Sequence, residues 1–155
     1  MNSATWPIRR AVVDDAPELA RLRYEFRSTQ QTMVEDREQF EERCRYWMRE
    51  RLLPGAAWRC WVGIDKGRLI GTLWLQVVEK IPNPGEEQEY HGYISSVYVI
   101  PDHRHSGVGT ALLLACLEEC DSLDLDAVFL WCTPESRPLY ERHGFHGPGP
   151  LLCRQ

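Results

Sequence analysis

Residues 97–120, VYVIPDHRHSGVGTALLLACLEEC, compress four structural instructions into one stretch and so constrain the fold more than any other part of the chain. A run of β-branched and aromatic residues, Tyr93 to Ile100, predicts a strand. Pro101 ends it by removing a backbone donor. Gly107 and Gly109 then mark a tight turn, and Leu112, Leu113, Cys116, Leu117 and Cys120 recur at the spacing of a helix with one buried face. A glycine turn between a strand and a helix presents free amides at the positive end of the helix dipole. Residues His105 to Thr110 are therefore expected to cradle an anion, with Arg104 beside them.

Two common phosphate-binding patterns are excluded here. The nucleotide-triphosphate loop needs a lysine after its second glycine, and none follows. The dinucleotide fingerprint G-x-G-x-x-G needs a third small residue where Leu112 stands.

The rest of the chain supplies the neighbours of this unit. A first strand is expected near Ile8 to Val13, followed by a helix beginning at Asp15 with Pro17 in its first turn and Glu18 as a capping partner. Its buried stripe is Leu19, Leu22 and Phe26. A second helix is predicted over about Asp36 to Leu52, from Phe40, Cys44, Trp47, Met48 and Leu52, and Pro54-Gly55 stops it. Trp58–Ile64 and Arg68–Glu79 read as a hairpin around Asp65-Lys66-Gly67. Residues Lys80 to Gly92 read as an exposed connection. Asp126 to Trp131 is apolar enough to predict a central, doubly covered strand. Thr133 as N-cap, Pro134 at the first helical position and Gly144 at the stop frame a short helix around Leu139 and Tyr140, with room for a last strand near Leu151 to Arg154. A hairpin followed by strand–helix–strand units predicts an α/β (α+β) fold: a mixed, mostly antiparallel central sheet flanked by about four helices, in one domain over residues 1–155.

Composition narrows the function classes. A net charge of -5 argues against a nucleic-acid-binding surface. No apolar run approaches the roughly 20 residues of a membrane span, and the start MNSATWPIRRAVVDD lacks the pattern of a secretory signal, so a cytoplasmic location is expected. The six cysteines include no C-x-x-C pair and several sit in apolar segments, which predicts reduced thiols. Cys116 and Cys120 with His143 and His146 lack the close paired spacing of a zinc site, so no metal is expected.

The run from Val97 to Thr110, with Arg104-x-x-Gly107-x-Gly109, resembles the acyl-coenzyme A binding signature of the GNAT superfamily of N-acetyltransferases. L-Y-E-R-H-G-F, Leu139 to Phe145, is similar to the family's late helix ending in Gly-Phe, and the predicted element order agrees along essentially the whole chain. The resemblance implies acetyl-coenzyme A as co-substrate. Its pyrophosphate would lie on the amides of His105, Ser106, Gly107, Val108, Gly109 and Thr110, and its pantetheine arm would pair with Val97, Tyr98 and Val99. Thr133, where many relatives carry an asparagine, and Ser136 are further candidate contacts.

The reaction implied is direct attack of a primary amine on the thioester, in a monomer or homodimer. An alkyl amine has a reference pKa of about 10.4, so it needs a base or desolvation, and the departing thiolate needs an acid. The resemblance makes Tyr140 the acid. Tyr93 falls where one branch, similar to histone acetyltransferases, carries a glutamate; Glu79, Glu89 and His91 are the base candidates instead. Glu86, Glu87 and Glu89 offer a site for a cationic acceptor, and Trp47, Trp58, Trp61 and Trp74 offer walls for a pocket. The alternative function is a non-catalytic acyl-coenzyme A sensor module.

Overall fold

The computed structural model describes residues 5–147. Five strands, β1 (Ile8–Arg10), β2 (Trp58–Asp65), β3 (Arg68–Glu79), β4 (Tyr90–Val99) and β5 (Ala127–Leu130), form one sheet in the order β1-β2-β3-β4-β5. Only the β4–β5 pair is parallel. The main helices are α1 (Ala16–Ser28), α2 (Arg37–Arg51), α3 (Val108–Ser122) and the short α4 (Arg137–Glu141). The expected mixed, mostly antiparallel sheet with flanking helices is the observed architecture.

The predicted hairpin turn forms with Lys66 and Gly67 both at positive φ, 48° and 77°. That is the mirror-type two-residue turn whose twist matches the flanking strands. Alternation along the strands then sorts side chains to two faces. Cys60, Val62 and Trp74 pack with Leu19, Leu22 and Met48 under α1 and α2. Trp61, Leu73, Leu75 and Ile94 pack with Val108, Leu112, Leu113 and Cys116 under α3. Burying each such leucine contributes about 1.5–3 kcal/mol. Two paired glycines let α3 lie this close. A Cβ on Gly71 would stand 3.0 Å from Val108 Cγ1, and one on Gly63 would stand 3.1 Å from the same atom.

Several expectations are corrected. β1 stops at Arg10, and Val13–Asp15 form a 3-10 turn. Asp15 stands at the N-cap of α1 as expected, but its side chain makes no capping bond to the helix, and Glu18 is not its capping partner. The Asp15 carboxylate instead accepts from Val12 N at 2.8 Å and pairs with Arg9, while Glu18 Oε1 accepts from Leu69 N at 3.2 Å, tying α1 to β3. The second helix behaves as predicted: Asp36 Oδ2 accepts from Glu38 N and Gln39 N at 3.1 and 3.4 Å.

β4 begins at Tyr90, three residues before its predicted start, because Tyr90–Gly92 continue the antiparallel ladder with Glu79–Val77. β5 is the last strand of the described sheet and is only half-buried, so the double covering expected from its apolar run is not seen. Its apolar run packs one face against α3 while its outer backbone edge has no partner among the described residues. α4 starts at Arg137, after a turn over Thr133–Ser136. The strand expected near Leu151 to Arg154 lies outside the described residues.

Candidate active site

Pro101 opens one turn of 3-10 helix, Pro101–His103, and the chain then passes through His105 at φ 58° and Gly107 at φ 91° into α3. A Cβ on Gly107 would meet nothing within 4 Å, so backbone conformation, not crowding, makes glycine necessary. The first amides of α3 have no acceptor within the helix and point out at its positive end. At Gly109 an added Cβ would make only ordinary contact, 3.7 Å from Leu139, so the missing side chain leaves that backbone open to a bound group.

Four hydrogen bonds fix this turn. Arg104 donates from Nε to Val99 O at 3.0 Å and stands over the Tyr98 ring at 5.7 Å. Trp6 Nε1 donates to Ser106 O at 2.8 Å, and Ser106 Oγ donates to His103 O. His103 Nε2 lies 2.9 Å from Asp65 Oδ2, with the Trp6 ring edge-on to it at 5.3 Å. The sequence reading missed Trp6, Asp65 and His103. They come from distant segments and carry no local signal of their joint role. Together they hold the amides in place before anything binds.

β4 carries a bulge. Tyr98 pairs with Thr72 and Ser95 with Trp74, so Ser96 and Val97 stand opposite Leu73 alone, and Ser96 has φ 54°. The extra residue turns both Ser95 and Ser96 toward the α1–α2 face. Pairing with β5 runs only from His91↔Ala127 to Ile94↔Leu130. Beyond it, the edge of Ser95–Val99 has no strand partner among the described residues. Val97 and Val99 pack on the α3 face, and Tyr98 stacks on Phe26 at 5.0 Å on the other.

Tyr140 is 6% exposed, belongs to the cluster on the α3 face, lies edge-on to Phe145 at 5.9 Å and is not in the wall of the cavity on the α1–α2 face. Burial raises its phenol above the ordinary tyrosine value, and nearby Cys132 adds to the shift. Thr133 and Ser136 bond chiefly to each other: Ser136 N donates to Thr133 Oγ1 at 3.3 Å, and Thr133 N donates to Ser136 Oγ at 3.0 Å. Thr133 therefore caps a turn, as its residue type suggested, one turn before the helix proper.

On the α1–α2 face a cavity of about 590 Å³ reaches Ser95, Ser96, Trp131 and Thr133. Trp47, Trp58 and Trp74 line it, but Trp61 does not, because its place in β2 points it to the α3 face. Among the described residues no carboxylate lines it, and the charged ones that do are Arg23, Arg27 and Arg43. None of these arginines was singled out from the sequence, where they read as ordinary helical surface charge.

Glu79, Glu89 and His91 are not in the cavity wall. Glu79 pairs with Tyr90 at the strand ends, Glu89 is exposed, and His91 Nδ1 lies 4.0 Å from Asp126 Oδ2. At about 3.3 Å per residue, His91 is roughly 16 Å along β4 from Ser96. The acidic connection is also occupied: Lys80 Nζ binds Glu87 at 2.7 Å and Asp126 at 2.8 Å. Among the described residues no group of three or more His, Cys, Asp or Glu is placed to hold a metal, and no helix is long and apolar enough to cross a membrane. The five described cysteines are free thiols.

Comparison with known proteins places this arrangement. The chain is 33% identical over 79 residues to a glucosamine 6-phosphate N-acetyltransferase of Trypanosoma brucei brucei; the match covers 51% of this chain and 52% of that protein, so the chain spans about half the length of this curated relative. A GCN5-related N-acetyltransferase from Ralstonia eutropha JMP134 superposes with a TM-score of 0.78 at 27% identity, covering 97% of this chain and 98% of that one. A predicted acetyltransferase from Clostridium acetobutylicum, solved with acetyl-CoA, superposes with a TM-score of 0.80 at 18% identity over 97% and 96% of the two chains, a likeness of fold. The family model described as "Acetyltransferase (GNAT) family" matches residues 19–145, most of the chain, and the chain belongs to the GNAT acetyltransferases.

Proposed function

We propose that the protein is an acetyl-coenzyme A-dependent N-acetyltransferase acting on a primary amine by direct attack. The observation that carries this reading is the gap between β4 and β5, which has the amide turn of α3 at one end and the cavity at the other. The amides of His105 to Thr110 and the free donors of Arg104 take the pyrophosphate. The unpaired edge at Val97–Val99 pairs with the pantetheine amides as it would with an added strand. An amide of that edge polarises the thioester carbonyl and stabilises the oxyanion. Thr133, which lines the cavity with Ser95 and Ser96, and Ser136, bonded to it, are the further contacts of this reading.

The amine nitrogen forms a bond to the acetyl carbon, the carbon–sulfur bond breaks, Tyr140 protonates the departing sulfur, and the amine's proton leaves to water. With no carboxylate in the wall, desolvation among the tryptophans and the arginine charges lower the amine's pKa. Glu79, Glu89 and His91 act on the amine only at a distance, through water.

Coenzyme A thiol release over a panel of primary amines tests the proposal. Acceptor-dependent release with stoichiometric acetyl-amine is the expected result. Tight binding of acetyl-coenzyme A with no acetyl-amine from any member would overturn it in favour of the sensor reading.

A further inference from the structure

Resting on the acetyltransferase reading, we infer that the acceptor carries a second, anionic group, a carboxylate or a phosphate monoester, seated on Arg23 and Arg27. Most of the described arginines answer a carboxylate within 4.0 Å: Arg9 on Asp15, Arg10 and Arg59 on Glu119, Arg21 on Glu25, Arg37 on Glu41, Arg51 on Glu50. Of the three in the cavity wall, Arg43 is neutralised by Glu35 at 2.7 Å. The other two have neutral partners. Arg23 donates from Nη1 to Ser96 Oγ at 3.1 Å, and Arg27 donates to Gln30 Oε1 and Gln31 Oε1, each at 2.8 Å. Both guanidinium groups lie on the Phe26 ring, at 5.8 and 5.9 Å.

A guanidinium keeps its charge at any ordinary pH and offers five donors in a planar fork. Arg23 is half-buried and spends one of those donors on a serine. Burial and the nearby Arg27 both disfavour its charge, which is the environment an anion would relieve. The bond to Ser96 also places this cation at the bulge, beside the unpaired edge where the thioester is proposed to lie. Arg27 follows one turn later on α1, about 6 Å away. An amine directed to the bulge therefore meets a paired-cation seat within a few bonds of its nitrogen. The overall charge of -5 makes this pocket a local exception, not part of a general basic surface.

The test compares two matched pairs as acceptors: phenylalanine against phenylalaninamide for a carboxylate, and glucosamine 6-phosphate against glucosamine for a phosphate. The anionic member of one pair is expected to have at least tenfold the kcat/KM of its neutral partner, and the pair that shows it identifies the anion. Arg23→Met should bring that ratio to within threefold of one, and Arg27→Met should lower it less. Ratios near or below one in both pairs for the native protein overturn the inference, as does an Arg23→Met protein, folded by circular dichroism, that keeps the ratio. Should Arg23→Met fail to fold, Arg27→Met carries the comparison, and an unchanged ratio there counts against the inference.

Binding is read separately from turnover by tryptophan fluorescence in the presence of coenzyme A, because Trp47, Trp58 and Trp74 line the cavity. Tenfold tighter binding of an anionic member, weakening between 0.05 and 0.5 M NaCl by about the amount expected for screened charges, supports the seat even if no amine is acetylated. In that case the transferase reading fails alone. Equal or undetectable binding of both members of both pairs removes the seat.

Discussion

Arg23 Nη1 donates to Ser96 Oγ at 3.1 Å, joining the middle of α1 to the bulge of β4. The bond crosses 73 residues of sequence and sets the cavity's cation beside the exposed strand edge. Chemistry proposed for the edge and recognition proposed for the cavity are thus fixed relative to one another by a single contact.

Tyr140→Phe should lower kcat by about a hundredfold, the usual scale for losing a general acid, while acetyl-coenzyme A binding measured by calorimetry stays within threefold. Because burial raises the phenol above its ordinary value of roughly 10, the native protein should show no alkaline fall in kcat from this group below about pH 10. The folded state holds this proton more tightly than the unfolded chain. Its contribution to stability is therefore complete below the unfolded pKa and lost as pH rises through the folded one. Equal losses of binding and kcat would make Tyr140 a packing residue only.

Gly107→Ala should cost about 1–2 kcal/mol of stability in urea unfolding, since alanine must adopt φ near 91° there. Acetyl-coenzyme A affinity should fall with it, because relief of that strain turns the amides away from their common direction. An unchanged affinity would show that the cradle does not depend on this residue.

Gly71→Ala should destabilise the fold by about 1–3 kcal/mol through overpacking. Its new Cβ would stand 3.0 Å from Val108, 3.1 Å from Leu112 and 3.2 Å from the Tyr98 carbonyl, and backbone yields less readily than a side chain tip. The urea midpoint measures this, and a neutral result would mean that α3 shifts outward without loss.

Asp15→Asn should cost roughly 1 kcal/mol at neutral pH. The Arg9 hydrogen bond holds the Asp15 carboxyl below its usual value against the opposing effect of burial, and Val12 N assists. The stabilisation is present above the unfolded carboxylate pKa of about 3.9 and is lost as pH falls through the lower folded value. Native and variant midpoints should therefore draw together as pH falls through that lower folded value. A difference that persists there would assign the effect to packing.

The sequence alone determined the elements that local chemistry enforces. Alternation and a two-residue turn placed the β2–β3 hairpin, helical spacing with Pro54-Gly55 as its stop placed α2, and Pro101 with Gly107 placed the strand–turn–helix unit, each through interactions spanning a few residues. The same turn identified the family from its residue pattern. That β5 is only half-buried was not legible, because an apolar run does not report how many of its faces are covered. The bulge left only a faint trace, two serines inside a strand of β-branched and aromatic residues. Arg23 and Arg27 left none, for their charge differs from that of the paired arginines only in what tertiary contacts fail to place beside it. Local sequence specifies torsions and hydrogen bonds along the chain, but only the packed structure decides which side chains from distant elements share a cavity and which charges remain unanswered.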